Sequence, residues 1–191
     1  MYITSSSDTE RNLSVELILE DIPGGGVVEK DDFASDATEM QEGSLLGVDA
    51  NGIYHVIKTA AVVAAASGAT TLVVPIGHKF KVGDIVTDTA KTITASAITA
   101  IAASGTTHSN LTVTAIGAAL AAGAIITVGA ATGASGTAFA YSPVGIATNT
   151  VDLSKSNTGC GIMVRGRVRE AILPHPVDAT LKAYLPLVRF V

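Results

Sequence analysis

The chain has 191 residues, 48% of them hydrophobic, enough for one compact domain or two small ones and too apolar for a disordered segment. Aromatic residues make up only 4% and Trp is absent, so the core is built from Ala, Val, Ile and Leu, and its thinness favours association with further copies or a larger assembly. The net charge of −5 argues against nucleic acid, and the charge is unevenly placed: residues 1–50 carry twelve acidic side chains against Arg11 and Lys30, the remainder ten basic against five acidic. Acidic front and basic back are therefore expected to meet, within one subunit or between subunits.

Residues 1–26 read as an N-terminal arm. Ser5, Ser6, Ser7 and Asp8 lead into Leu13, Val15, Leu17 and Leu19, a period-2 stretch suited to pairing with a sheet edge of this chain or of a partner. The start lacks a basic segment followed by an apolar run, so no secretory signal is expected. Pro23-Gly24-Gly25-Gly26 breaks the arm, Val27 and Val28 open a short strand, and an acidic loop follows through Asp31, Asp32, Asp36, Glu39 and Glu42. That loop lacks the alternating Asp/Asn pattern and central Gly of a calcium loop.

Leu45 to Ala50 and Ile53 to Ile57 flank Asn51-Gly52, the signature of a type I′ hairpin. Ala60 to Ala66 has helical propensity, but Ser67-Gly68 stops it too early, and a strand is preferred.

A motif then occurs twice. Leu72-x-Val74 followed by Phe80-x-x-Gly83-x-Ile85-Val86-Thr87 returns as Leu111-x-Val113 followed by Leu120-x-x-Gly123-x-Ile125-Ile126-Thr127. The glycines lie 40 positions apart and the leading leucines 39, which marks a duplicated strand-loop-strand unit. His78, Lys79, Lys81 and Asp84 of the first copy have no charged counterparts in the second, so what repeats is geometry rather than chemistry. Between Thr92 and Val151 there is no Asp, Glu, Lys or Arg; Gly, Ser and Thr interrupt this stretch too often for a membrane-spanning helix, and packed strands fit it better.

Gly129 to Gly136 reads as a joint, Val144 to Ala147 as a short strand and Asn157-Thr158-Gly159 as a polar turn. In Ile162 to Arg169, alternation puts Arg165, Arg167 and Arg169 on one face of a strand and Ile162, Val164 and Val168 on the other. The arginine stripe reads either as a solvated face or as a protein interface pairing with carboxylates. Leu173-Pro174-His175-Pro176 ends the strand, Asp178 caps a short helix over Ala179 to Tyr184 that carries Leu181 inward, and Leu187 to Val191 forms a terminal strand.

No catalytic or cofactor motif stands out: there is no Gly-x-Ser-x-Gly elbow, phosphate loop, dinucleotide fingerprint or His-Glu-x-x-His helix. His55, His78, His108 and His175 are widely separated and read as surface or turn residues rather than metal ligands, and Cys160, between two glycines, as a small residue of a turn or strand. A non-enzymatic protein without metal or cofactor is expected.

The segments GHKFKVGDIV at 77–86, VRGRVREAILPHPV at 164–177 and the closing LPLVRFV resemble head-fibre and capsid decoration proteins of tailed bacteriophages, those of gut Bacteroidetes phages and the crAss-like group above all. GSLLGVDANGIYHVI at 43–57 and SPVGIATNTVDLS at 142–154 are similar to the small β fold of lambda-type head decoration proteins. The resemblance implies a structural protein on the outer surface of the virion head, made in the host cytoplasm, often trimeric and bound to the major capsid protein, with no catalytic residue to carry over. The fold expected is all-β: residues 27–58 and 141–191 form a decoration-type module, into which 59–140 insert a duplicated, small-barrel-like hairpin module. Arg165, Arg167 and Arg169, with Leu13, Val15 and Leu17 of the arm, are the expected interface residues. The competing expectation is a host-surface or carbohydrate-binding module displayed from the particle, against which the shortage of Trp and Tyr counts.

Overall fold

The computed structural model describes residues 13–33, 39–133 and 137–191. Expectations for Ser5 to Asp8, Asp36 and Gly136 lie outside them. In chain order the first strands are β1 (Val15–Asp21), β2 (Gly26–Val28), β3 (Glu39–Met40), β4 (Leu45–Val48), β5 (Tyr54–Val56) and β6 (Thr59–Ala61). The repeat region follows with β7 (Thr71–Pro75), β8 (Ile85–Asp88), β9 (Ser96–Ala97), β10 (Ala100–Ser104), β11 (His108–Thr112) and β12 (Ile125–Val128). The chain closes with β13 (Pro143–Ala147), β14 (Val151–Asp152), β15 (Thr158–Cys160), β16 (Ile162–Val168), the single helical turn α1 (Ala179–Lys182) and β17 (Val188–Phe190).

The protein is thus nearly all β. Eight strands form one sheet that curls into a half-barrel, in the order β1-β16-β13-β4-β5-β2-β15 with β17 also on β16, all drawn from the two ends of the chain. Residues 59–128 between them supply a three-stranded sheet, β10-β11-β7, and a four-stranded sheet, β6-β12-β8-β9. These two smaller sheets enclose a core of Val62, Leu72, Val74, Phe80, Val86, Ile98, Leu111, Val113, Leu120 and Ile126. The half-barrel packs on two further apolar clusters, one around Leu45, Ile146, Met163 and Leu181 that Ile125 of β12 joins, and one around Met40, Leu46, Val56 and Ile162.

The duplicated motif generates an internal two-fold. In the antiparallel β7–β11 ladder Leu72 pairs with Leu111, and in the β8–β12 ladder Thr87 pairs with Thr127, so equivalent residues of the two copies face each other. The unit also begins earlier than the motif. Gly123 N–H donates to Val62 O and Gly83 N–H to Ile98 O, both at 2.8 Å; Val62 N–H returns a bond to Ala124 O and Ile98 N–H to Asp84 O. Strands β6 and β9 are therefore equivalent, each paired with the other copy's hairpin. Gly83 and Gly123, at φ +96° and +84°, turn the chain into β8 and β12 in the left-handed conformation that a side chain resists.

Several local expectations need correction. The β4–β5 hairpin forms, but only Gly52 has positive φ, so the turn is not type I′, which needs it at both central residues. The Asp49 carboxylate instead accepts the Asn51 and Ile53 N–H groups at 2.9 and 2.8 Å and shapes the turn through its side chain. Thr158 and Gly159 belong to strand β15 and pair with Val28 and Val27. Met163, in phase with the arginines, is fully buried alongside Ile162, at the end of β16 that pairs with β13 rather than with β17. His55 and His175, read as surface or turn residues, are both buried, His55 within β5 and His175 at a bend. As expected, Asp178 caps α1 by accepting the Leu181 N–H at 3.0 Å, and Leu181 is fully buried.

Candidate interaction surface

The arm docks on its own chain. Strand β1 runs antiparallel along β16, and the close approach requires Gly166: a Cβ there would lie 2.2 Å from Leu17 O and 2.3 Å from Met163 Sδ. The register shifts between Val15 and Leu17 and again between Ile18 and Glu20, so β1 is bulged. Bulging breaks the period-2 reading of the arm: Val15 turns into the core, whereas Leu13, Leu17, Ile18 and Leu19 all remain exposed, Leu19 at 61%. With Glu16, Glu20 and Asp21 along it, the free edge of β1 is a poor template for a further strand; it is the side chains that are offered outward.

Glu16, at the first bulge, gathers the arginines. Its Oε2 lies 2.6 Å from Arg167 Nε, an ion pair whose N–H is not aimed along the hydrogen-bond direction, and its Oε1 lies 3.4 Å from Arg169 Nε. Arg165 stands opposite Glu20, and Arg189 of β17 stands beside Arg167 in the parallel ladder. Arg169 falls just past the strand, at the start of a 3-10 turn. Of the six residues expected at an interface, Leu17 stands opposite Arg167 on the face that Arg169 and Glu16 share, Leu13 is exposed at the wall of a neighbouring groove, and Val15 is buried. Acidic front and basic back do meet here, inside one subunit.

Two concavities accompany this surface. One, of about 700 Å³, is lined by Leu13, Glu39, Gln41, Glu42, Asn149 and Thr150 among others. The Glu42 carboxylate accepts from the Val15 N–H at 2.9 Å, tying the arm's start to the groove wall. The other, of about 470 Å³, is a cleft between the half-barrel and the inserted repeat, lined by Thr59, Ile76, His78, Lys79, His175 and Pro176 among others. Burial pushes the His175 pKa down to about 4, with Lys79 and His78 adding to the shift, and burial also lowers that of His78. Both imidazoles are neutral at pH 7. Residues 77–79 and 174–176 both line this cleft.

Sequence reasoning missed a third cluster. His55 Nδ1 lies 2.9 Å from Asp32 Oδ1, its Nε2 faces Asp49 Oδ2 at 3.9 Å, and its ring stacks on Tyr141 at 3.9 Å between centroids. Burial raises the Asp32 pKa against the opposing pull of His55 and the Val56 N–H. Asp32 and His55 are 23 positions apart, so no local spacing signals the pair. Both ring nitrogens face carboxylates, which leaves neither directed at a substrate. Among the described residues no group of three or more His, Cys, Asp or Glu side chains is arranged to hold a metal ion, and no helix is long and apolar enough to cross a membrane. Compared with known proteins, the chain matches no family model, no curated protein and no solved structure.

Proposed function

We propose that this chain is a structural virion protein that decorates and stabilises the outside of a tailed-phage head by binding the major capsid protein, as a homo-oligomer, with the arm and the arginine face as contacts. The observation that carries the reading is the surface made by β1 and β16: exposed Leu13, Leu17, Ile18 and Leu19 lie beside Arg165, Arg167, Arg169 and Arg189. Exposed apolar side chains along a strand that covers no other sheet favour association, and arginine is the charged residue interfaces favour. The resemblance of 77–86 and 164–177 to head-fibre and decoration proteins is what supports the major capsid protein as the partner. The decisive experiment mixes purified protein with heads that lack it. Saturable binding, weakened by Arg167→Glu and by Leu17→Ser, supports the proposal; absence of saturable binding refutes it.

A second reading, a displayed carbohydrate-binding module, is favoured by the amide- and hydroxyl-bearing walls of the larger groove, Gln41, Asn149 and Thr150. A glycan array separates the two, since binding there should disappear with Asn149→Ala and be indifferent to Arg167→Glu.

A further inference from the structure

We propose that the side chains of Lys58 and Asp84 condense into an intramolecular isopeptide bond that fastens the inserted repeat to the segment leaving the half-barrel. Lys58 lies between β5 and β6, where the chain passes from one module to the other, and Asp84 immediately precedes β8. Their side chains are 4% and 8% exposed, and Lys58 Nζ lies 2.6 Å from Asp84 Oδ2. The Lys81 backbone N–H donates to the same oxygen at 2.9 Å.

The internal two-fold shows that the pair is not required by the repeat. Thr94 and Ala124 occupy the equivalent positions of the second copy, so the same geometry is built there without charge. A buried ion pair loses the hydration of both partners, and burial is the leading influence on Lys58, drawing its pKa down and favouring the neutral amine. Proton transfer from Nζ to the carboxylate leaves a neutral nucleophile against a neutral acid, the reactive combination for amide formation.

The nitrogen lone pair attacks Cγ of Asp84 and the N–C bond forms. Oδ2 bears the charge of the tetrahedral intermediate, stabilised by the Lys81 N–H, and remains as the amide oxygen. The C–Oδ1 bond then breaks: Oδ1, carrying the proton that Nζ first gave the carboxylate, takes a second from the nitrogen and leaves as water. No oxidant, metal or cofactor enters the balance.

Intact-mass measurement of the full chain, denatured after purification in its folded state, tests this. The expected mass is one water below that of the sequence, with a branched peptide joining the Lys58 and Asp84 segments after proteolysis; Lys58→Arg and Asp84→Ala chains should show their full sequence masses whether or not they fold. A folded wild-type chain of full sequence mass overturns the proposal. So does a lost water that fragmentation places elsewhere, such as a succinimide at another aspartate.

Discussion

Leu72 faces Leu111 across the centre of the β7–β11 ladder, each fully buried and each the leading residue of its copy of the motif. Truncation of either therefore opens a cavity at the same place in the core. Leu72→Ala and Leu111→Ala should each cost about 2–5 kcal/mol in denaturant unfolding. Ile76→Ala, at a side chain 58% exposed, should cost less than about 0.5 kcal/mol.

Thr87 and Thr127 meet at the other ladder on the two-fold, and neither hydroxyl, both buried, has a hydrogen-bond partner among the described residues. A buried polar group without a partner costs about 1–3 kcal/mol. The double variant Thr87→Val/Thr127→Val, which preserves shape, should raise the denaturation midpoint; a fall would mean that these hydroxyls are satisfied by bound water.

The arm's seat depends on the missing side chain of Gly166. Gly166→Ala should force β1 off β16, seen as faster proteolysis and faster amide exchange over residues 15–21. Gly159→Ala, in β15 where a Cβ meets nothing within 4 Å, should leave both unchanged.

Acid should destabilise the fold through His175. Its folded pKa of about 4 lies below the ordinary 6.5, so between those values the unfolded chain binds a proton that the folded chain refuses. Stability from this group is complete above pH 6.5 and falls as pH drops toward 4, by about 3 kcal/mol in total. The difference in stability between wild type and His175→Gln, measured across that window, should shrink with falling pH; a constant difference would show that His175 titrates normally.

At the exposed arginine face, Arg167→Glu should alter unfolding stability by less than about 1 kcal/mol, because the Glu16 pair is screened by solvent. Its effect should fall on association instead, read by light scattering and by binding to heads at increasing salt.

The apolar positions of the repeat, its glycine turns and the Asp178 cap were legible because each depends on residues a few positions apart. The twofold pairing was implicit in the duplication, but the equivalence of β6 and β9 was hidden: Val62 and Ile98 share a backbone role while their neighbours diverge. Bulging in β1 left no trace in Leu13, Val15, Leu17 and Leu19, whose alternation looks regular until Gly166 and Glu16 fix the register. The Asp32, His55 and Asp49 cluster was invisible for another reason, since a contact made by folding distant segments together has no spacing to recognise.

Because β6 and β9 each complete the opposite copy's sheet, neither half of the inserted repeat closes its own hydrogen bonding. A peptide carrying one half would finish its sheets only by meeting another like it. The present region has the layout of an exchanged-strand homodimer joined into one chain, with charge at Lys58 and Asp84 in one half and Thr94 and Ala124 at the equivalent places in the other.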